Sequence, residues 1–280
     1  MTPKQITILI AAGLLLVLAL AMGSDLLLFI NPAGLLLVVG GTLAGVFLAF
    51  PLETLRELWA ELRSLGRSRV MGLDRLIAVF VELARLQRRA GARTLERRAR
   101  ALGNPFLALG VSLVVDELPW QEVKQRLEQE FDFFLSRREA QRGVLSLMGR
   151  LAPALGLAGT MIGLIRMLHG IKDPAAVTQG MSVALLTTFY GLMLANLLIL
   201  PLERKLNERT RGEAVEMTLI IEGVMGLCLE ENGAAMEARL NSFRQACAGS
   251  SPAGAKAGVE LARRLAGLKL ARPLARSGKP

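Results

Sequence analysis

The chain has 280 residues, of which 52% are apolar, and its mean hydropathy of +0.42 is too high for an ordinary soluble protein, so it indicates a membrane protein. The net charge of +10 is compatible with nucleic-acid binding, but basic residues that flank membrane spans explain it better, because the charges lie between apolar runs. Two cysteines without a CxxC spacing and a single histidine support neither a disulfide framework nor a metal site.

Residues 1–51 are predicted to form two transmembrane helices. Ile6–Met22 is an uninterrupted apolar run at the lower end of the length that a span needs. A cleaved signal peptide is the alternative, because LALAMG resembles a small-residue cleavage site, although no exported domain is expected after it. Gly34–Phe50 is a second apolar run, and its glycines would let neighbouring helices approach closely.

Residues 52–143 are predicted to form a helical cytoplasmic domain between the second and third spans. They contain 17 lysines and arginines and 13 aspartates and glutamates. Their apolar residues recur at helical spacing, as at Leu76, Val79 and Phe80, and no alternating strand pattern is present. The acids and proline of DELPW, residues 116–120, predict a helix start, and an amphipathic helix should follow over Gln121–Leu151. Its buried stripe is expected to contain Val123, Leu127, Phe131 and Phe134.

Residues 144–203 are predicted to form spans three and four, at about Val144–Leu168 and Met181–Leu202, joined by the short polar connection His169–Gln179. Neither span contains an aspartate or glutamate in its apolar core. An ion-driven transporter usually needs an ionisable group within the membrane. If this chain moves ions, a carboxylate would therefore have to come from another chain.

One face of span three is expected to be functional. It carries Pro153, Gly156, Thr160 and Gly163. Their spacings of three, four and three follow a helix face, which suits close packing or a narrow polar path. Thr160 in span three and the pair Thr187 and Thr188 in span four offer hydroxyl oxygens to a proton or a sodium ion. The alternative is that these hydroxyls bond to carbonyls of their own helices.

The remaining chain is predicted to be cytoplasmic. Residues 204–245 have helical periodicity, and residues 246–280 form a flexible basic tail. The predicted outer loops contain one basic residue, Lys172, whereas the charged segments inside contain 17 and 13. The positive-inside rule therefore places both termini in the cytoplasm.

Three segments carry a resemblance to a known family: APALGLAGTMIGLIRML, DPAAV and MSVALLTTFYGLMLANLLILPLERKL. They resemble spans three and four of the MotA/PomA flagellar motor stator subunits, which belong to the MotA/TolQ/ExbB proton-channel superfamily. The resemblance covers about residues 6–245. It implies an all-α membrane protein with four spans and a large helical insert between spans two and three. It also implies five copies around two copies of a single-span MotB/PomB-type subunit, which supplies a membrane aspartate.

The same resemblance assigns roles to particular residues. It implies that Pro153 and Pro201 couple ion passage to movement of the cytoplasmic domain, although both prolines could equally be fixed kinks. It also implies that Thr160, Thr187 and Thr188 line the ion route, and these hydroxyls leave open whether protons or sodium ions are carried.

A second match is RRAGARTLE, Arg88 to Glu96. By resemblance, Arg88, Arg89 and Glu96 face the flagellar rotor C-ring protein. On a continuous helix, eight residues would place Arg88 and Glu96 within about 80° of each other. The alternative is an ordinary solvated helix surface. Arg97 and Arg98 stand where some relatives carry further acids, which alters the charge of this surface.

These observations predict a stator subunit that converts proton or sodium flow into torque, without enzymatic activity, without a cofactor and without nucleic acid as a partner. Two alternatives remain. One is a TolQ/ExbB-like energiser of an envelope partner, and the other is a non-transporting scaffold whose basic tail binds anionic lipid or nucleic acid.

Overall fold

The computed structural model describes residues 29–65 and 71–248, and the regular structure in this part of the chain is helical. Within it, three helices are long and apolar enough to cross a membrane. The predicted first span, Ile6–Met22, lies outside the described residues, as does almost all of the predicted tail. The predicted all-helical fold with apolar helices is therefore confirmed, and the count of four spans stays a prediction.

Eight helices are present in the described residues. They are α1 (Pro32–Ala49), α2 (Leu52–Ser64), α3 (Leu73–Ala90), α4 (Ala92–Ala101), α5 (Pro105–Val115), α6 (Trp120–His169), α7 (Pro174–Cys228) and α8 (Gly233–Ala248). Two of them contain a π-helical segment, Leu36–Gly40 in α1 and Leu194–Ile199 in α7. In both helices the chain stays helical before and after the π-helical turn.

Three helices begin with a similar pair of residues, an Asn or Asp at the cap followed by a proline at the first helical position. Asn31 accepts a hydrogen bond from the backbone N–H of Gly34 at 2.9 Å, and Asn104 and Asp173 cap α5 and α7 in the same way. The capping oxygen satisfies a backbone donor that has no partner inside the helix, and the proline at the first position loses nothing because its nitrogen carries no hydrogen.

Helices α6 and α7 form the hairpin that contains predicted spans three and four, and its connection is shorter than the sequence predicts. The connection predicted at His169–Gln179 is shorter, because α6 ends at His169 and α7 already begins at Pro174. The predicted amphipathic helix and span three form a single helix of 50 residues, which starts at Trp120, one residue before the predicted start at Gln121. Pro153 lies inside this helix without ending it.

The chain divides into two compact units. Unit 1 comprises residues 1–68 and 136–209, and unit 2 comprises residues 69–135 and 210–280. The core of unit 2 confirms most of the predicted stripes, since Leu76, Phe80, Val123, Leu127 and Phe131 are buried, whereas Phe134 is only partly buried. It also contains residues of the C-terminal segment, namely Leu219, Ile220, Val224, Leu227, Met236 and Leu240. From residue 210 on, the segment predicted separately as 204–245 therefore shares one core with part of the charged insert.

The core of unit 1 joins α2 to the apolar hairpin. Leu58 of α2 is buried with Val46 of α1, Val144 and Ala152 of α6, and Ile199 of α7. The predicted boundary at residue 52 placed α2 with the cytoplasmic insert, whereas its buried face packs against the helices that carry the candidate site. Unit 1 therefore contains the candidate ion path.

Candidate functional site

The α6–α7 hairpin packs backbone to backbone through glycines. A Cβ atom at Gly163 would lie 2.6 Å from the backbone nitrogen of Ala184 and 2.6 Å from the carbonyl oxygen of Gly180. A Cβ atom at Gly191 would lie 2.5 Å from the carbonyl oxygen of Ala152. No side chain fits at these distances, so the two helices approach as closely as small residues permit.

The structure divides the predicted functional face of span three into two edges. Gly156 and Gly163 are buried against α7, where a Cβ at Gly156 would lie 3.0 Å from the carbonyl oxygen of Thr187. Pro153 and Thr160 form the other edge and stay partly exposed. The glycines therefore set the spacing of the two helices, and only the Pro153 and Thr160 edge is accessible to a partner or an ion.

The three hydroxyl groups differ in what they can contact. Thr160 donates to the carbonyl of Leu157 at 2.6 Å, and Thr187 donates to the carbonyl of Val183 at 2.9 Å, so both bond to their own helix. The side chain of Thr187 is fully buried, which places it in the packing between α6 and α7 rather than on an accessible surface. Thr188 is partly exposed and also lies 3.4 Å from the carbonyl oxygen of Gly156 across the hairpin.

Tyr190 fixes the start of α1 to α7. Its hydroxyl accepts a hydrogen bond from the backbone N–H of Asn31 at 2.8 Å and donates one to the carbonyl of Phe29 at 2.5 Å. Burial of a tyrosine usually requires such a partner for its hydroxyl. The sequence alone does not reveal these contacts, because the partners of Tyr190 lie far away along the chain.

Asn196 is a polar residue of span four that sequence reasoning missed. It lies in the π-helical segment of α7, its side chain is exposed, and its amide nitrogen donates to the carbonyl of Leu192 at 3.0 Å. Its neighbours Leu197 and Leu198 are both more than half exposed. Its position could have been noticed in the sequence, because Asn196 is an amide within the apolar run of span four. Polar groups inside a membrane are costly and tend to be functional.

The predicted rotor-facing residues do not share a helix. Gly91, with φ of +76°, separates α3 from α4, so the prediction that Arg88 and Glu96 project from one continuous helix is wrong. Glycine adopts this backbone conformation without the steric cost that other residues would meet. Arg88 donates to the carbonyl of Glu230 at 2.6 Å, Glu96 accepts from Arg100 at 2.5 Å, and both arginines are exposed.

The two arginines that follow Glu96 have different surroundings. Arg98 makes two hydrogen bonds to the carboxylate of Glu82, at 2.9 and 3.1 Å. These bonds and the charge of Glu82 raise the pKa of Arg98 above its usual value. Arg97 and Arg89 are exposed. On the surface around Glu96, the charge of Arg98 is therefore balanced by Glu82. The exposed Arg97 is the arginine that changes the charge of this surface most.

Comparison with known proteins decides the family. The model of the MotA/TolQ/ExbB proton channel family matches residues 98–218. The chain is 30% identical over 230 residues to the chemotaxis protein PomA of Vibrio alginolyticus, covering 81% of this chain and 89% of PomA. This chain belongs to the MotA/TolQ/ExbB proton channel family. Within the family its similarity is to the MotA/PomA flagellar stator subunits, which confirms the predicted recognition and the predicted function of a stator subunit.

Solved structures agree with the fold. The chain superimposes on the C. jejuni MotAB structure with a TM-score of 0.76 and 24% identity, over 87% of this chain and 96% of that chain. It superimposes on the flagellar MotAB stator complex of Bacillus subtilis with a TM-score of 0.73 and 27% identity, over 84% of this chain and 92% of that chain. The helical arrangement of this MotA/PomA-type subunit is therefore that of a stator.

Proposed function

We propose that this chain works with a single-span B-type subunit, that ions pass along the accessible edge of α6 and α7, and that the resulting movement turns the flagellar rotor. The solved relatives are MotAB complexes, which supports a partner of the MotB type. The predicted ring of five A-type and two B-type chains belongs to the same proposal. The protein is expected to lie in the inner membrane with both termini in the cytoplasm, because basic residues are concentrated in the predicted inner segments.

The observation that carries this proposal is the combination of two partly exposed hydroxyls with apolar spans that lack an acid. Thr160 and Thr188 present oxygen atoms on α6 and α7, and neither predicted span contains an aspartate or glutamate. A carboxylate from the B-type subunit would supply the ionisable group, and the hydroxyls would solvate the proton or sodium ion beside it. Thr187 would then support the path by packing, since its side chain is buried.

Thr160→Val is expected to reduce inward ion flux and swimming speed together by roughly tenfold. A methyl group replaces an oxygen that would solvate the ion, and loss of polar solvation in an apolar environment costs several kcal/mol. Flux and swimming are measured in a strain that lacks its own stator and expresses this chain with its B-type subunit. Thr178→Val is the matched control, because this exposed threonine also bonds to its own helix but lies at the start of α7.

Each alternative function predicts a different result in the same strain. A non-transporting scaffold would show no ion flux above background in either the unmodified chain or the Thr160 variant. A TolQ/ExbB-like energiser would conduct ions without restoring swimming. Collapsing the sodium and proton gradients separately while swimming speed is recorded identifies the ion.

We also propose that Arg88, Arg89 and Glu96 contact a charged rotor surface. Arg89→Glu is expected to lower swimming speed several-fold while leaving ion flux unchanged, because a reversed charge repels the partner surface. The variant keeps the bond between Arg88 and Glu230 intact. Arg126→Glu is the control, since it reverses another surface charge of the same unit. Equal effects of both variants on swimming would contradict a specific rotor contact at Arg89.

A further inference from the structure

Unit 1 contains a buried ionic cluster of Glu61, Arg138 and Arg209. The Arg138 guanidinium lies 2.9 Å from one carboxylate oxygen of Glu61, and the Arg209 guanidinium lies 3.1 Å from the other. All three side chains are only 10–12% exposed. Arg209 also donates to the carbonyl of Ser64 at 2.9 Å, and Arg138 donates to the buried Gln141 at 3.1 Å. One carboxylate therefore connects α2, α6 and α7.

Two members of the cluster lie close to points where the chain leaves unit 1. The divisions of the chain fall after residues 68, 135 and 209. Arg138 follows the second division by three residues, and Arg209 directly precedes the third. Both pair with the carboxylate of Glu61, so α6 and α7 are held to α2 next to these two points.

Stability alone does not account for such a cluster. Taking charges out of water costs about as much as their mutual attraction returns, so well-packed apolar residues would hold the helices equally well. What ionic groups add is a fixed arrangement, because a guanidinium and a carboxylate pair in few geometries. The Arg142–Glu203 pair also joins α6 to α7, but half of the Arg142 side chain is exposed, so it constrains the helices less.

We propose that Glu61, Arg138 and Arg209 are positioning residues that clamp α2 to α6 and α7, so that these three helices move together during ion passage. The inference rests on the proposed function, because it concerns the step between ion flow and torque. Without the clamp, α6 and α7 could move while α2 stays behind, and part of the movement would not reach the rotor-facing residues.

The test separates the clamp from a purely structural role. Glu61→Gln should reduce the amount of protein in the membrane, because it leaves two buried guanidinium groups without their carboxylate. The informative variant is Glu61→Leu combined with Arg138→Met and Arg209→Met, which removes all three charges together and keeps similar side-chain volumes. It is produced with the B-type subunit in a strain without its own stator. Membrane protein level, inward ion flux and rotation speed of tethered cells are then measured, and Arg142→Gln is the control.

If the clamp exists, the triple variant should have the wild-type protein level and ion flux. For the same flux, the rotation speed of tethered cells should be lower by about fivefold or more. Arg142→Gln should retain the wild-type ratio of speed to flux. Recovery of that ratio in the triple variant would overturn the proposal, and so would an equal loss in the control. Failure of the proposed function itself is distinguishable, because the unmodified chain would then show neither flux nor rotation.

Discussion

Gly163→Ala is expected to prevent stable packing of the α6–α7 hairpin and to abolish swimming. The added Cβ would meet backbone atoms of Ala184 and Gly180 at 2.6 Å, and backbone atoms of a packed helix cannot move aside as the end of a flexible side chain can. Overpacking of this kind costs about 1–3 kcal/mol and more where the backbone must shift. The expected result is a lower thermal midpoint of the purified protein in detergent and less protein in the membrane.

Gly149→Ala is the matched control for Gly163→Ala. Gly149 lies in the same helix, but its Cβ would be 3.6 Å from the Ile199 side chain, which is an ordinary van der Waals contact. Alanine is favoured over glycine within a helix by about 1 kcal/mol, so this variant should be as stable as the unmodified chain or more stable. Equal thermal midpoints for both variants would show that the hairpin separates easily and that close approach does not define it.

Pro153→Leu is expected to abolish swimming while membrane insertion and protein level remain normal. Proline has no backbone N–H and disturbs the hydrogen-bond ladder of α6, so the helix is weakest beside the accessible edge. Leucine restores the missing hydrogen bond, and its side chain has room because position 153 is partly exposed. The variant should therefore be at least as stable as the unmodified chain but lack the flexible point that converts ion passage into movement.

Swimming speed and membrane protein level in the stator-free strain test this expectation. Ala154→Leu is the control, because it adds a leucine at the adjacent, exposed position and leaves the proline in place. Normal swimming of the Pro153 variant would rule out a coupling role and would make Pro153 a fixed kink. Loss of swimming in both variants would instead assign the effect to crowding on this side of α6.

Helical periodicity allowed much of the fold to be predicted, because burial of one helix face leaves a repeat in the sequence. The residues Leu76 and Leu127 of the predicted stripes are buried, and α6 starts at Trp120, the last residue of DELPW. The break at Gly91 was missed, because glycine is tolerated within helices and its sequence context does not reveal a positive φ. The proposed contact of Arg88 and Glu96 with the rotor is therefore supported by their charges and not by a position on one continuous helix.

The candidate site was predicted less completely, because its geometry depends on residues that are distant along the chain. Small residues in α6 indicated close packing, but only the structure shows that Gly163 faces Gly180 and Ala184 while Thr160 stays accessible. Glu61 was counted only as one of the acids of the insert, since a carboxylate with buried partners on two other helices looks the same in sequence as an exposed one.

The π-helical segment Leu194–Ile199 has a consequence for how the two ends of α7 are aligned. A π-helix turns less per residue than an α-helix, so over six residues the following helix lags by roughly a quarter of a turn. That lag sets the angular phase between Thr188, which precedes the segment, and Arg209, which follows it. Deleting one residue from this segment would leave all residues before and after it unchanged. The part of α7 that follows the segment would nevertheless be rotated about the helix axis.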